Sequence, residues 1–355
     1  MPSKAGMVLI TGGAGYIGSH TASCLLDAGH DILILDNLSN SSRSTVDRLQ
    51  GFAKTSTLRF VEGDLLDREL LERLFLEYPI KAVIHFAGRK SVPESMQNPM
   101  LYYQQNVEAT LNLLRVMGEH GCHRMVFSSS AAVYGDAQAV PVTEVCPAVP
   151  KSPYGHSKLM VEQVLRSIAS AEPRWCMTIL RYFNPVGAHP SGQLGESPRY
   201  SLNNLFPQLT QTIAGEAGPF QVFGQQYASE DGTGVRDFIH VQDLAEGHLC
   251  ALHRQQPGCQ TYNLGTGKGY TVLEVIAAFE QVTGQAVPFE MAPARAGDIG
   301  CLYASVELSR HALDWQAHRG LKQMVEDYWR WWCSSTAGGT PLRGCSWPAV
   351  TASNR

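Results

Sequence analysis

Tyr154 and Lys158 stand four positions apart in Tyr154-Gly155-His156-Ser157-Lys158, a spacing that puts both side chains on one face of a helix. A free tyrosine ionises near pH 10. A phenol acting as a base near neutrality therefore needs its pKa lowered by about three units, roughly 4 kcal/mol. One ammonium a few ångströms away supplies a Coulomb term of about that size at an effective dielectric near 20. The spacing alone is common by chance, and its ordinary meaning is a surface tyrosine beside a solvated lysine. Upstream, Ser128-Ser129-Ser130 follows the apolar run Met125-Val126-Phe127, at the end of an expected strand. A base, a second hydroxyl and a lysine are what oxidation of an alcohol requires. Tyr154 would take the hydroxyl proton, Ser130 would hydrogen-bond the same oxygen, and a hydride would leave carbon for an acceptor. His156 falls off the Tyr154/Lys158 face and is read as a non-catalytic helix residue.

The acceptor is announced near the start of the chain. A short apolar strand, Met7-Val8-Leu9-Ile10, runs into Thr11-Gly12-Gly13-Ala14-Gly15-Tyr16-Ile17-Gly18, then an expected helix from Ser19 to Ala28. Gly29 closes that helix, and a second strand, Ile32 to Leu35, ends at Asp36. Gly12, Gly15 and Gly18 suit a tight turn, a close backbone approach to a diphosphate, and close helix-to-strand packing. The helix N-terminus adds free N–H groups and partial positive charge for that phosphate. Asp36 can accept from both ribose hydroxyls of an adenosine and would repel a 2′-phosphate, which favours NAD over NADP. The alternative for Asp36 is a cap on the following turn. With bound NAD, Lys158 would also hold the nicotinamide ribose, and the oxidised ring would add positive charge beside Tyr154.

Strands and helices alternate along the rest of the first half, as a parallel sheet with helices on both faces requires. The polar loop Asn37 to Ser44 precedes a strand at Leu58 to Val61, and Asp67 to Glu77 reads as a helix with Leu70, Leu71, Leu74 and Phe75 on one face. Ala82 to Phe86 is a strand entering Ala87-Gly88; after a loop, a helix spans about Tyr102 to Glu119. Ser128 to Ser130 ends the next strand, where open α/β sheets place their ligands. Pro147 to Pro153 punctuates the chain before the helix Tyr154 to about Ala169, and Trp175 to Leu180 is a further strand. From about residue 184 the alternation loosens. The expected architecture is thus a Rossmann-type doubly wound sheet over 1–183, a smaller C-terminal α/β substrate lobe over 184–333 whose elements cross back to the first, and a poorly ordered tail over 334–355. Trp315, Trp329, Trp331 and Trp332 are read as packing.

With 355 residues, 44% hydrophobic and 17% charged, the chain can bury a large core and is globular in composition. A net charge of −4 gives no electrostatic reason to expect nucleic acid or an anionic membrane surface. No apolar run approaches the roughly 20 residues of a membrane span. No secretory leader is expected, because Met7 to Ile10 is already the first strand. Nine cysteines without metal-ligand spacing suggest reduced thiols, a cytoplasmic location and no metal site.

The strings TGGAGYIGSH, ILDNLSNS, VEGD, VIHFAG, SSSAAVYG, SPYGHSKLMVEQ, LRYFNPVGAHPSG, EDGTGVRDFIHVQDLAEGH and YNLGTG, spread from Met7 to Trp332, resemble the extended short-chain dehydrogenase/reductase family. Within it they are most similar to the UDP-glucose 4-epimerases. The resemblance implies cofactor contacts at Tyr16, Ile17, Asp36, Asn37, Leu38, Ser39, Asn40 and Ser41, with Asp64 and Leu65 at the adenine. Phe86, Ala87, Gly88 and Lys90 would line the cofactor floor, and Asn106 and Phe183 would lie near the nicotinamide. On the substrate side it implies Asn184, Asn204 and Leu205 at the nucleotide sugar, Gln221, Val222 and Phe223 at the uracil, Arg236 and Arg295 on the diphosphate, and Asp298 on the uridine ribose. Lys90, Ser130 and Tyr154 would also face the UDP-hexose. Two guanidinium forks on a diphosphate make independent physical sense; the alternative for Arg236 is a surface ion pair with Asp237.

The implied reaction oxidises C4 of the sugar to a ketone, lets the hexose swing about its diphosphate, and returns hydride to the opposite face, so NAD is regenerated in each turnover. Two positions depart from the family pattern or bear on its specificity. Phe238 stands where a tyrosine is common, and Leu302 occupies a pocket-wall position that governs room for a 2-acetamido group, leaving N-acetylated UDP-hexoses open as substrates. Ala131-Ala132 stands where the related 4,6-dehydratases carry an Asp-Glu pair, and alanine cannot transfer protons. A UDP-glucuronate decarboxylase and a non-catalytic NAD-sensing regulator stay open as rival functions. The family usually forms homodimers through the Tyr102–Glu119 and Tyr154–Ala169 helices, and Leu159, Val161, Val164, Leu165 and Ile168 offer the second helix more apolar surface than one core face needs.

Overall fold

The computed structural model describes residues 6–137, 139–196, 204–295 and 299–336. Six strands come in order from the first half of the chain: β1 Met7–Thr11, β2 Ile32–Asp36, β3 Leu58–Glu62, β4 Ile80–His85, β5 Arg124–Ser130 and β6 Cys176–Tyr182. A seventh strand, Gly258–Leu264, returns from the second half and pairs with β6. The resulting parallel sheet has the order Gly258–Leu264, β6, β5, β4, β1, β2, β3. Every residue of β1 and β2 is buried, as expected of strands covered by helices on both faces.

Side-chain alternation divides the core in two. Leu9, Leu33, Val83, Met125 and Phe127 point to one face, under Leu71, Leu113 and Leu165 of the helices Arg68–Glu77, Ala109–Glu119 and Pro153–Ala171. Val8, Ile10, Ile32, Ile34 and Ile84 point to the other, under Leu25 of Tyr16–Asp27 and Leu244 of Val241–His253. A third core gathers Phe206, Val222, Phe238, Phe279 and Tyr328 in the second half of the chain.

The chain order reverses beside β1, which lies between β2 and β4. Crevices at such reversals open at the carboxyl ends of the strands. Gly12 leaves β1 there, and Phe86-Ala87-Gly88 leaves β4 alongside it, with the Phe86 and Ala87 amides both donating to the Thr11 carbonyl.

Several elements differ from the sequence reading. The first helix starts at Tyr16, three residues early, because Gly15 is its extended N-cap. Ser42 caps a helix, Arg43–Gln50, that begins inside the polar stretch ending at Ser44. Where a loop was expected after Gly88, Ser91 caps Val92–Gln97 and Pro99 opens Pro99–Tyr102. The helix expected from Tyr102 passes through a π-helical turn, Tyr103–Glu108, before Ala109–Glu119. The last helix reaches Thr336, past the expected start of the tail; residues 337–355 lie outside the described residues.

The tryptophans do not form one cluster. Trp315 packs beside Leu264 in the sheet core, whereas Trp331 and Trp332 pack in the third core. The helix Pro153–Ala171 spends its apolar residues on its own subunit, with Val161 and Leu165 buried and Leu159, Val164 and Ile168 packed against core clusters. Its exposed apolar side chain is Met160, which carries no signal in the sequence pattern.

Candidate active site

The helix Pro153–Ala171 and the end of β5 are fastened together over three turns. Ser152 caps the helix by accepting from the Gly155 amide, and Pro153, which lacks an amide hydrogen, suits its first position. Ser130 then interacts with Tyr154, the Ser128 carbonyl accepts from Lys158 Nζ at 2.9 Å, and the Ser129 hydroxyl donates to Glu162 Oε1 at 2.6 Å. Tyr154, Lys158 and Glu162 are successive members of one helix face. The structure therefore brings the three expected catalytic residues together, while His156 is exposed.

The electrostatics differ from the sequence expectation. Burial raises the Tyr154 pKa above its ordinary value, and the Ser130 hydroxyl pulls it partly back. Burial lowers Lys158 to about 8, against the upward pull of Glu162. The lysine charge is directed at a backbone carbonyl instead of the phenol, so protein groups alone leave Tyr154 protonated at neutrality. A lowered phenol was predicted from spacing, and spacing does not register the desolvation that opposes it.

Glu162 is fully buried and was not singled out from the sequence. Arg181 reaches both of its oxygens, Nε at 2.9 Å and a terminal nitrogen at 2.5 Å, and Arg166 donates at 2.8 Å. Burial pushes this carboxyl up, but its bonds to Arg181, Ser129 and Arg166 outweigh that and hold it below the usual range. Its spacing of four from Lys158 was the available signal.

Near Lys158, Asn106 sits on the π-helical turn and bonds through both ends of its carboxamide. Its oxygen accepts from the Arg89 amide at 2.7 Å, and its nitrogen donates to the Arg89 carbonyl and to Ser157 Oγ. This fixes the backbone beside Gly88, whose φ of +152° and 2.9 Å clearance from Asn106 Oδ1 exclude a side chain. Below it, His85 lies between Thr11 and Thr110. Because the Thr110 hydroxyl donates to the Asn106 carbonyl, His85 Nε2 must donate to Thr110, and Nδ1 accepts from Thr11. Burial keeps this imidazole neutral, with a pKa of about 3.

The glycine loop fits a dinucleotide. Gly12 has φ +70°, and a Cβ there would lie 2.7 Å from the Ala87 nitrogen; one on Gly18 would lie 2.3 Å from the Gly12 oxygen. No side chain caps the helix that follows Gly15, which suits an anion at its N-terminus. Asp36 Oδ2 accepts from the Ala14 amide, and Oδ1 from the Leu38 amide and Ser41 hydroxyl. A carboxylate has about four acceptor positions, so these three bonds aim the group and leave one on Oδ2 for a ribose hydroxyl. The bond to Leu38 is the turn cap of the alternative reading, and the one position left is fewer than acceptance from both ribose hydroxyls requires. Asn37, Ser39 and Asn40 are exposed in the adjoining loop, and Asn37 donates to Asp64. Ile17 and Phe86 pack against the sheet core and Ala87 against its opposite face. Leu65 is 5% exposed with its side chain in the core, so it would meet a ligand through its backbone.

The remaining expected residues stand on several separate elements. Tyr16 donates to the Gly187 carbonyl at 2.7 Å, joining the glycine loop to the second half of the chain. Phe183 and Leu302 are buried in one small cluster with Ala131, directly after Ser130. Leu302 is also paired with Arg236 across two short parallel strands, Val235–Arg236 and Cys301–Leu302. The Arg236 guanidinium donates to the Val235 carbonyl, and its neighbour Asp237 accepts from the amides of Thr266, Gly267 and Ala304. The Arg295 guanidinium lies 3.7 Å over the Phe223 ring. Gln221 and Phe223 share one side of their strand, whereas Val222 points into the third core with no exposure, so its side chain cannot meet a uracil. Asn184 is exposed, Asn204 precedes the helix Leu205–Ile213, and Leu205 packs against the third core. Phe238 packs its ring on Phe206 in an apolar core. Asp298 lies outside the described residues.

Comparison with known proteins places the chain in a family. The sequence pattern of the NAD dependent epimerase/dehydratase family matches residues 8–265. A UDP-glucose 4-epimerase of Bacillus subtilis is 49% identical over 333 residues, covering 93% of this chain and 98% of that protein. Among solved structures, a UDP-glucose-4-epimerase from Stenotrophomonas maltophila with bound NAD and formylated UDP-arabinopyranose superposes with a TM-score of 0.91 at 44% identity, over 94% of this chain and 99% of that one. The enzyme from Bifidobacterium longum in complex with NAD+ and UDP gives 0.89 at 44% identity, over 94% and 100%.

Proposed function

The chain belongs to the NAD dependent epimerase/dehydratase family, and from that membership we propose that it is an isomerase interconverting UDP-glucose and UDP-galactose at C4. The observation that carries the reading is the convergence of Ser130, Tyr154 and Lys158 at the end of β5, one strand from the loop at Gly88. When bound, NAD supplies reversible hydride acceptance at C4 and a positive charge that favours the phenolate. Tyr154 takes and returns the C4 hydroxyl proton, Ser130 orients that oxygen, and Lys158, fastened to the Ser128 carbonyl, would hold the nicotinamide ribose. Asp36 and the glycine loop hold the adenosine diphosphate end. Arg236 and Arg295 hold the substrate diphosphate while the 4-keto hexose turns.

Dehydration is disfavoured by Ala131 and Ala132, which follow Ser130 directly and carry no proton donor. Acceptance of N-acetylated UDP-hexoses depends on the wall formed by Leu302 beside Phe183. A direct assay tests the reading. UDP-galactose should yield UDP-glucose without net NADH, whereas a 4-keto-6-deoxy product would select dehydration.

A homodimer and a cytoplasmic location complete the proposal. Exposed Met100 and Leu111 on one helical segment and Met160 on the neighbouring helix line an apolar groove, which a second copy would cover. Light scattering at micromolar concentration should give twice the chain mass, and a monomer mass would count against pairing. No helix among the described residues is long and apolar enough to cross a membrane.

A further inference from the structure

Glu196 is 5% exposed and was not among the residues expected from the sequence. One of its oxygens, Oε1, accepts from Lys90 Nζ at 3.0 Å and from Asn204 Nδ2 at 2.5 Å. Lys90 follows β4, two residues after the Gly88 that faces Lys158. Asn204 precedes the helix Leu205–Ile213 on the other side of the site and makes no side-chain cap to it. A single buried carboxylate thus ties a first-half loop to a second-half helix start.

Lys90 is about half exposed, so without a partner its long side chain would sample many rotamers. Asn204 has no capping bond of its own to fix it. We propose that Glu196 is a positioning residue, preorganising Lys90 and Asn204 to receive the nucleotide diphosphate. The ligand's identity rests on the proposed function; the clasp itself does not. The physical gain is that the ordering cost is met by the protein before binding.

Two conservative variants separate position from charge. Glu196→Asp keeps the charge but withdraws the carboxylate by about one methylene, too far to serve both partners at about 3 Å. Glu196→Gln keeps an oxygen at the same reach and removes the charge. Affinity for UDP is measured by calorimetry on the NAD-loaded protein, with UDP-galactose turnover and melting temperature measured on the same samples. The expected pattern is a roughly tenfold weaker UDP affinity and a similar rise in KM for E196D, with kcat within about threefold. E196Q should stay within about threefold of the parent throughout. The reverse ranking, equal affinities for all three proteins, or an E196D loss that follows a fall in melting temperature would overturn the proposal. If the parent binds UDP and shows the expected ranking but does not epimerise, the clasp stands and the reaction falls. A parent that binds no UDP overturns both.

Discussion

Lys158 Nζ donates to the carbonyl of Ser128, two residues before Ser130, whose hydroxyl interacts with Tyr154. The lysine is therefore fastened to the strand that presents Ser130, and its charge and position cannot change independently. Replacing it with methionine keeps most of the aliphatic stem and removes the charge and the bond to Ser128 together. Lys158→Met should lower kcat by about 10²-fold or more, within the range of general acid–base contributions, while the protein still folds. Steady-state kinetics with circular dichroism would check this, and a change below about threefold would contradict it.

Glu162 holds Ser129 and Arg181 beneath that lysine. Glu162→Ala leaves the buried Arg181 charge without its main partner, which typically costs about 3–5 kcal/mol. Glu162→Gln keeps part of the bonding and should cost less. Urea unfolding of both variants would rank them, and a destabilisation by Ala of under about 1 kcal/mol would show that Arg181 is held by other groups.

Gly12 sits at positive φ with a backbone nitrogen 2.7 Å from any added Cβ. Gly12→Ala should lose most bound NAD when purified, because the turn must shift where the diphosphate belongs. Absorbance and enzymatic assay of released nucleotide measure this; full NAD content would contradict the assignment of the loop.

Burial lowers His20 and His85 to about 3 and His248 to about 4. Their ordinary value is near 6.5, so as pH falls below about 6.5 the unfolded chain takes up protons that the folded chain does not. Stability is then fully present above about 6.5 and is lost progressively down to about pH 4 for His248 and about pH 3 for His20 and His85. The loss is on the order of 1 kcal/mol per histidine at about pH 5.5. Urea midpoints at about pH 7.5, 6.5 and 5.5 should fall across the last interval, and His85→Gln should reduce that slope. Midpoints that stay level across that interval would contradict burial of these imidazoles in the neutral form.

The glycine loop, the first six strands and the Tyr154/Lys158 face were legible because each is specified within a few residues: turn glycines, continuous apolar runs, a spacing of four. The short helices at Arg43, Val92 and Pro99 were not, since each is shorter than about nine residues and depends on a single capping residue or proline more than on periodicity. Glu196 left no local trace, for its partner Lys90 is 106 positions away. Val222 shows a different limit. A string match points to a whole strand segment, whereas strand alternation puts Gln221 and Phe223 on one side and turns the middle side chain into the core. The sign of the Tyr154 shift was misjudged because sequence spacing reports a nearby charge but not the burial that counters it.

The central claim is that the Tyr154 phenol moves the C4 proton. Tyr154→Phe removes one oxygen and should leave fold and NAD content intact. Its rate of UDP-galactose to UDP-glucose conversion, measured at saturating substrate beside the parent protein, should fall by about 10²- to 10⁴-fold. Conversion by Y154F at the parent's rate would contradict the account.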